Sequence, residues 1–181
     1  MRSRRLSLLT LFVTVMACDG SGRTPTGPSP GDGIRDSAAL FQLVTQTEPV
    51  SGYALFPNVE EFAAGRLNGS EAHRPIVRVS MNARALDALQ RGRLPTAAQF
   101  PDGSIILKEV RPLADAPVSV YAVMYKDAGN MLAGDGWLWA EFSPDGSVGY
   151  SVSNRGTACT SCHQREQGRL NDLVRTFERQ R

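Results

Sequence analysis

The sequence predicts an α+β fold, in which a mainly antiparallel β-sheet has helices at the N- and C-terminal ends of the folded part. Four strand-like segments follow one another between residues 104 and 153 with only short turn-rich loops between them, which favours a meander over β-α-β units. Apolar residues at helical spacing precede and follow these strands. A chain of 181 residues, 41% of them hydrophobic, is long enough for one domain with its own core.

The N-terminal segment is predicted to lie outside that domain. Residues 1–17 have a basic start and an apolar run too short to span a bilayer, which predicts a secretory signal peptide. The stretch VTVMAC resembles a bacterial lipobox, which predicts lipidation of Cys18. Cleavage at the same bond by an ordinary signal peptidase is the alternative. Residues 18–36, rich in Gly, Ser, Thr and Pro, predict a disordered, lipid-anchored tether, and residues 37–181 form the domain.

The domain is predicted to begin with a short helix. Asp36 or Ser37 is a suitable N-cap, and the helix is expected to end before Pro49. The apolar residues at helical spacing are Leu40, Phe41 and Val44. Residues 53–68 are ambiguous, with one helical turn expected near 59–64.

The spacing of apolar residues predicts the strands and helices in the middle and at the end of the domain. The stretch PIVRVSMN (75–82) alternates and predicts a half-buried strand, and ARALDALQRGR (83–93) predicts a helix. Four further strands are SIILKEVR, VSVYAVMYK, GWLWAEFS and GSVGYSVS. The final stretch, 165–181, has Leu170, Leu173, Val174 and Phe177 at helical spacing, which predicts a terminal amphipathic helix.

The segment ACTSCHQ (158–164) contains the attachment pattern of a c-type haem, Cys-x-x-Cys-His. Cys159 and Cys162 would form thioethers with the haem, and His163 would be the proximal iron ligand. A tetrahedral zinc site is an alternative, although it needs four ligands and only His73 remains as a distant nitrogen donor. A redox-active dithiol is another, although such a pair is expected early in a β-α-β unit.

Charge and cysteine content agree with an exported haem protein. The formal net charge of +2 predicts no nucleic acid partner. The chain has three cysteines, so lipid on Cys18 and haem on the other two would leave none for a disulfide. Export also fits haem attachment, which in bacteria takes place outside the cytoplasmic membrane.

The segments FPDGSIILKEV, GDGWLWAEFSPDG and TACTSCH together resemble the cytochrome P-460 family, which includes the cytochromes c′-beta. The resemblance extends over residues 74–177. It implies a mainly antiparallel sheet, usually in a homodimer, with one five-coordinate haem c per chain. In hydroxylamine-oxidising members a lysine at the end of the first of these segments is bonded to the haem, and the corresponding residue here is Lys108.

The strand pattern gives Lys108 independent interest. Alternation places Ile106, Lys108 and Val110 on one face of the strand. If that face is buried, the lysine pKa falls and the amine becomes more nucleophilic. The alternative is a lysine whose stem lies along the sheet edge with its ammonium in water.

Removal of protons from hydroxylamine needs a base, and a carboxylate is expected in the pocket. The resemblance implies a carboxylate from the strand before the haem motif, but residues 146–158 contain no Asp or Glu. Glu141 is the candidate substitute, since it shares a strand face with Trp137 and Trp139. An exposed strand carboxylate beside two core tryptophans is the alternative.

Three further residues are weaker candidates. His73 is the only other histidine, and it lies in a Gly- and Pro-flanked loop where a solvated side chain is expected. Arg155 is a candidate partner for a haem propionate, and Arg78 is another pocket candidate.

The predicted function is that of an exported, periplasmic, membrane-anchored single-haem cytochrome. One hypothesis is oxidation of hydroxylamine or a similar nitrogen species, with electrons passed to a redox partner cytochrome. The second is binding of NO or CO without turnover, and the third is plain electron transfer.

Overall fold

The structure is a computed structural model that describes residues 33–65, 72–165 and 168–180. The predicted signal peptide, Cys18 and most of the tether lie outside these residues and remain predictions. Within the described ranges, no helix combines the length and the apolar character needed to cross a membrane.

An antiparallel sheet forms the centre of the domain and confirms the predicted fold class. The described residues contribute seven strands to it, in the order β1-β3-β4-β5-β6-β7, with β2 also paired to β3. The bounds are β1 Ala54–Leu55, β2 Ala63–Ala64, β3 Ile76–Met81, β4 Ile105–Arg111, β5 Val120–Lys126, β6 Trp137–Phe142 and β7 Val148–Tyr150. All pairs are antiparallel, and β4 to β7 are the predicted meander.

Both faces of the sheet are covered, because alternate residues of the central strands enter two separate hydrophobic clusters. On one face Ile106 and Trp139 pack with Val174 and Phe177 from the C-terminal segment. The opposite face packs against the N-terminal helix. Strand β3 is therefore more buried than the predicted half-buried strand, with four of its six residues inside.

The N-terminal helix confirms its prediction. Helix α1 spans Ser37–Gln42, and the Asp36 side chain caps it by accepting a hydrogen bond from Ala39 N at 2.8 Å. A turn of π-helix, Leu43–Thr47, continues it and ends before Pro49.

Two predictions in the middle of the chain need correction. The helical turn expected near 59–64 is wrong, because Ala63–Ala64 forms β2 against β3. The helix expected over 83–93 is confirmed only in its first part, α2, Ala83–Asp87, capped by Asn82. The chain then leaves the helical conformation in a tight turn with Arg91 and Gly92 at positive φ.

The predicted continuous amphipathic helix at the C-terminus is also wrong. This segment forms two short 3-10 turns, Gly168–Asn171 and Arg175–Arg179. Between them Asp172 and Leu173 have φ angles of 49° and 68°, which no α-helix accommodates. The apolar residues of the pattern are nevertheless buried, except Leu170, which is 64% exposed.

Candidate functional site

The Cys-x-x-Cys-His motif lies on a short helix, α3, Thr160–His163, packed against strand β6. Two glycines permit this packing. Gly156 has a φ of +69°, and a Cβ there would collide with the indole of Trp139. A Cβ on Gly168 would collide with the His163 carbonyl. Larger residues at either position would therefore displace the motif from the sheet.

Both thiols of the motif are free and partly exposed. Burial, followed by the nearby negative charge of Glu141, raises the pKa of Cys159 to about 11. Cys162 accepts a hydrogen bond from Arg175 Nη1 at 3.2 Å. Neither sulfur is in a disulfide, so both remain available for a covalent bond.

His163 is oriented by a backbone carbonyl. Its Nδ1 lies 2.7 Å from the Leu173 oxygen and donates a hydrogen bond to it. Its ring also packs edge-on against Trp139, at 4.7 Å between centroids. Burial, with a smaller effect of the Lys108 charge, lowers the pKa of His163 to about 3. The imidazole is therefore neutral and keeps Nε2 as a lone-pair donor, which is the form that binds a metal.

Two adjoining cavities lie beside the motif, with volumes of about 40 Å³ and 240 Å³. Seven residues line both cavities: His73, Lys108, Glu141, Cys159, His163, Arg175 and Thr176. The smaller cavity also has an apolar wall from the sheet and the C-terminal segment, formed by Ile106, Ala122, Met124, Trp139 and Val174.

A chain of hydrogen bonds crosses the polar side of the cavities. Lys108 Nζ is 3.0 Å from His73 Nδ1, and His73 Nε2 is 2.9 Å from Glu141 Oε1. An ionised carboxylate only accepts hydrogen bonds, so His73 Nε2 carries the proton and Nδ1 accepts from Lys108. Both nitrogens of His73 are thereby occupied, which leaves neither for an iron ligand.

The environment shifts the pKa of every member of this chain. Burial, followed by the positive charges of Arg179 and Arg175, lowers the pKa of Lys108 to about 8. Burial and then the Lys108 charge lower the pKa of His73. The hydrogen bond from His73 is the largest cause that lowers the pKa of Glu141. At neutral pH the site therefore holds an ionised Glu141 beside a neutral His73.

The structure brings most of the predicted site residues together. Lys108, Glu141, Cys159 and His163 line the same cavity, and Cys162 lines the larger one. Arg155 is exposed on a left-handed turn outside the residues that line the cavities.

Arg78 lies away from the site, because its guanidinium pairs with Glu61 and Glu109. The two oxygens of Glu109 accept from Arg78 and Arg111, on the strand face opposite to Lys108.

The structure gives two residues a larger part in the site than the sequence predicted: His73, a weak candidate, and Arg175, which was not a candidate. The expectation that His73 is solvated is wrong, because its side chain is 18% exposed and bonded on both sides. No local pattern around His73 indicates this. Arg175, which is 4% exposed, lines both cavities. The sequence pattern that could have indicated Arg175 is a charged residue inside the apolar stretch LVRTF, because a cation is buried there only with a partner. In the structure that partner is Glu178.

These residues fit a haem. A neutral histidine with a free Nε2 and two free thiols three positions apart are the donors that the group requires, and the cavity beside them has one apolar and one polar wall. Within the described ranges, no group of three or more His, Cys, Asp or Glu side chains is arranged to hold a metal ion by itself.

The fold and site together define a haem cytochrome built on an antiparallel sheet. The family model described as Cytochrome P460 matches residues 62–176, and the chain belongs to this family. The search of curated proteins found no match for the chain.

Proposed function

We propose that the protein is an exported c-type cytochrome with one haem held by thioethers to Cys159 and Cys162. His163 would ligate the iron through Nε2. The free thiols, the neutral imidazole and the cavity beside them support this proposal.

The proposed activity is oxidation of hydroxylamine or a similarly small nitrogen compound. When bound, the haem would supply one-electron redox chemistry. The observation that carries the proposal is the hydrogen-bonded chain Lys108–His73–Glu141 in the cavity beside His163. Oxidation of hydroxylamine to NO releases three protons with three electrons, so an acceptor for protons is required at the substrate.

Glu141 supplies that acceptor. Its Oε1 is held by His73, which leaves Oε2 for a bound molecule. The ionised state at neutral pH makes the carboxylate ready to accept a proton, and the fixed imidazole keeps it in place. Glu141 thus takes the role of the pocket carboxylate, which residues 146–158 cannot supply because they contain no Asp or Glu.

Lys108 is the proposed site of a covalent bond to the edge of the haem. It lines the cavity, and its lowered pKa makes the neutral amine accessible near physiological pH. The hydrogen bond to His73 also fixes the position of Nζ.

Binding of NO or CO without turnover is the second candidate. The apolar wall at Ile106, Met124 and Val174 favours an uncharged diatomic ligand, whose binding needs no proton transfer. For the oxidase we also propose a soluble cytochrome as redox partner. For both functions we propose a lipid anchor at Cys18 in the periplasm and a homodimer.

The two functions are distinguished by a matched set of variants. Anaerobic hydroxylamine oxidation with an artificial electron acceptor is compared with NO affinity in the wild type, Glu141→Gln and the control Glu61→Gln, an exposed carboxylate that pairs with Arg78. For the oxidase, Glu141→Gln lowers turnover about 10²-fold or more and leaves NO binding nearly unchanged. Tight NO binding without turnover in the wild type supports the gas-binding protein. Brisk turnover unaffected by Glu141→Gln contradicts the role of Glu141.

A further inference from the structure

We propose that a buried ion pair, Lys126–Asp172, positions the carbonyl that orients the haem-ligating histidine. This inference rests on the proposed haem attachment. Lys126 Nζ donates to both carboxylate oxygens of Asp172, at 2.9 and 2.8 Å. Lys126 is 2% exposed and lies 4.9 Å from the centroid of the Trp137 ring, so the pair is enclosed by the core.

The pair holds a backbone conformation that the chain would not otherwise keep. Asp172 and Leu173, two consecutive residues other than glycine, both have left-handed φ angles. Such a conformation is unfavourable and persists only where the surroundings fix it. Here the Asp172 carboxylate also accepts from Phe100 N at 2.9 Å, and its carbonyl accepts from Trp137 Nε1 at 3.0 Å. Asp172 is therefore fixed from three sides by the sheet and the loop before it.

The fixed conformation of Asp172 sets the position of the carbonyl of the next residue, Leu173. The Leu173 carbonyl is the acceptor for His163 Nδ1, at 2.7 Å. A short hydrogen bond from the second nitrogen of a ligating imidazole fixes its tautomer and raises its basicity. A more basic imidazole stabilises ferric over ferrous iron. Lys126 and Asp172 thus act through Leu173 as positioning residues that lower the reduction potential.

The experiment compares Lys126→Met and Asp172→Asn with the wild type in the haem-loaded full-length protein. The control is Glu109→Gln, a buried, ion-paired carboxylate on the opposite face of the same sheet. The readouts are the reduction potential and the iron–histidine stretching frequency from resonance Raman spectra. A merely structural pair would change neither in protein that stays folded.

We expect both variants at the pair to lower the stretching frequency. A tenfold loss of preference for ferric iron, at the lower end of outer-shell effects, raises the potential by about 59 mV. Glu109→Gln should change neither readout.

Wild-type values in folded Lys126→Met and Asp172→Asn would overturn the proposal while leaving the haem attachment intact. If Lys126→Met does not fold, the two readouts of Asp172→Asn, which keeps the size of the side chain, test the proposal. A wild type that carries no covalent haem would instead contradict the proposed function itself.

Discussion

Replacement of Lys126 by Met should strongly destabilise the domain. Methionine keeps most of the side-chain length but removes the ammonium, so the Asp172 carboxylate, 5% exposed, would lose both hydrogen bonds from Nζ. The only other donor to that carboxylate among the described residues is Phe100 N. One backbone hydrogen bond does not compensate a charge that is held away from water.

The magnitude follows from the burial of the pair. Removal of one partner of a buried ion pair costs about 3–5 kcal/mol, a large part of the roughly 5–15 kcal/mol by which a domain is stable. For a domain of this size each 1 kcal/mol lowers Tm by about 2–4 °C, so Tm should fall by roughly 6–20 °C. The double variant Lys126→Met/Asp172→Asn should regain part of the loss, because it leaves no buried charge.

The assay is guanidinium chloride unfolding of the full-length haem protein, followed by far-UV circular dichroism. The control Glu61→Gln removes an ion pair whose carboxylate is 52% exposed, and it should cost less than about 1 kcal/mol. A Lys126→Met protein within 1 kcal/mol of the wild type would refute the reasoning.

Three further predictions concern the haem and the anchor. His163→Ala should lose the native visible spectrum. His73→Ala should leave the coordination number of the iron unchanged, because both nitrogens of His73 are already hydrogen-bonded. Conversion of a six-coordinate to a five-coordinate spectrum by His73→Ala would show that His73 is a ligand. Peptide mapping should find the Lys108 peptide joined to the haem peptide, more completely as the pH rises through its pKa of about 8, where the amine becomes neutral, and Lys108→Met should have an ordinary c-type spectrum. Palmitate labelling should mark the wild type and not Cys18→Ser, and an unlabelled, freely soluble wild type would refute the anchor.

Local patterns were sufficient for the strands of the meander. The strands from Ile105 to Tyr150 alternate and are separated by turn-forming residues, so their pairing as neighbours follows from the short loops. The same alternation correctly placed Lys108 on the face with Ile106 and Val110, and that face lines the cavity or packs beside it.

Long-range contacts explain what the sequence could not predict. The apolar spacing over residues 165–181 is helical, but a lysine 46 positions before Asp172 binds its side chain and holds the backbone there in a left-handed turn. The sequence predicted a solvated side chain for His73 because its partners, Lys108 and Glu141, are 35 and 68 positions away. No short window contains these pairs.

Acid–acetone extraction of the purified protein, followed by a pyridine haemochrome spectrum and intact mass, tests the central claim most directly. We expect that one haem stays with the chain and has a c-type spectrum, and that covalent haem is lost in Cys159→Ser/Cys162→Ser. Haem that is fully extracted by the solvent, or zinc bound in its place, would contradict the account.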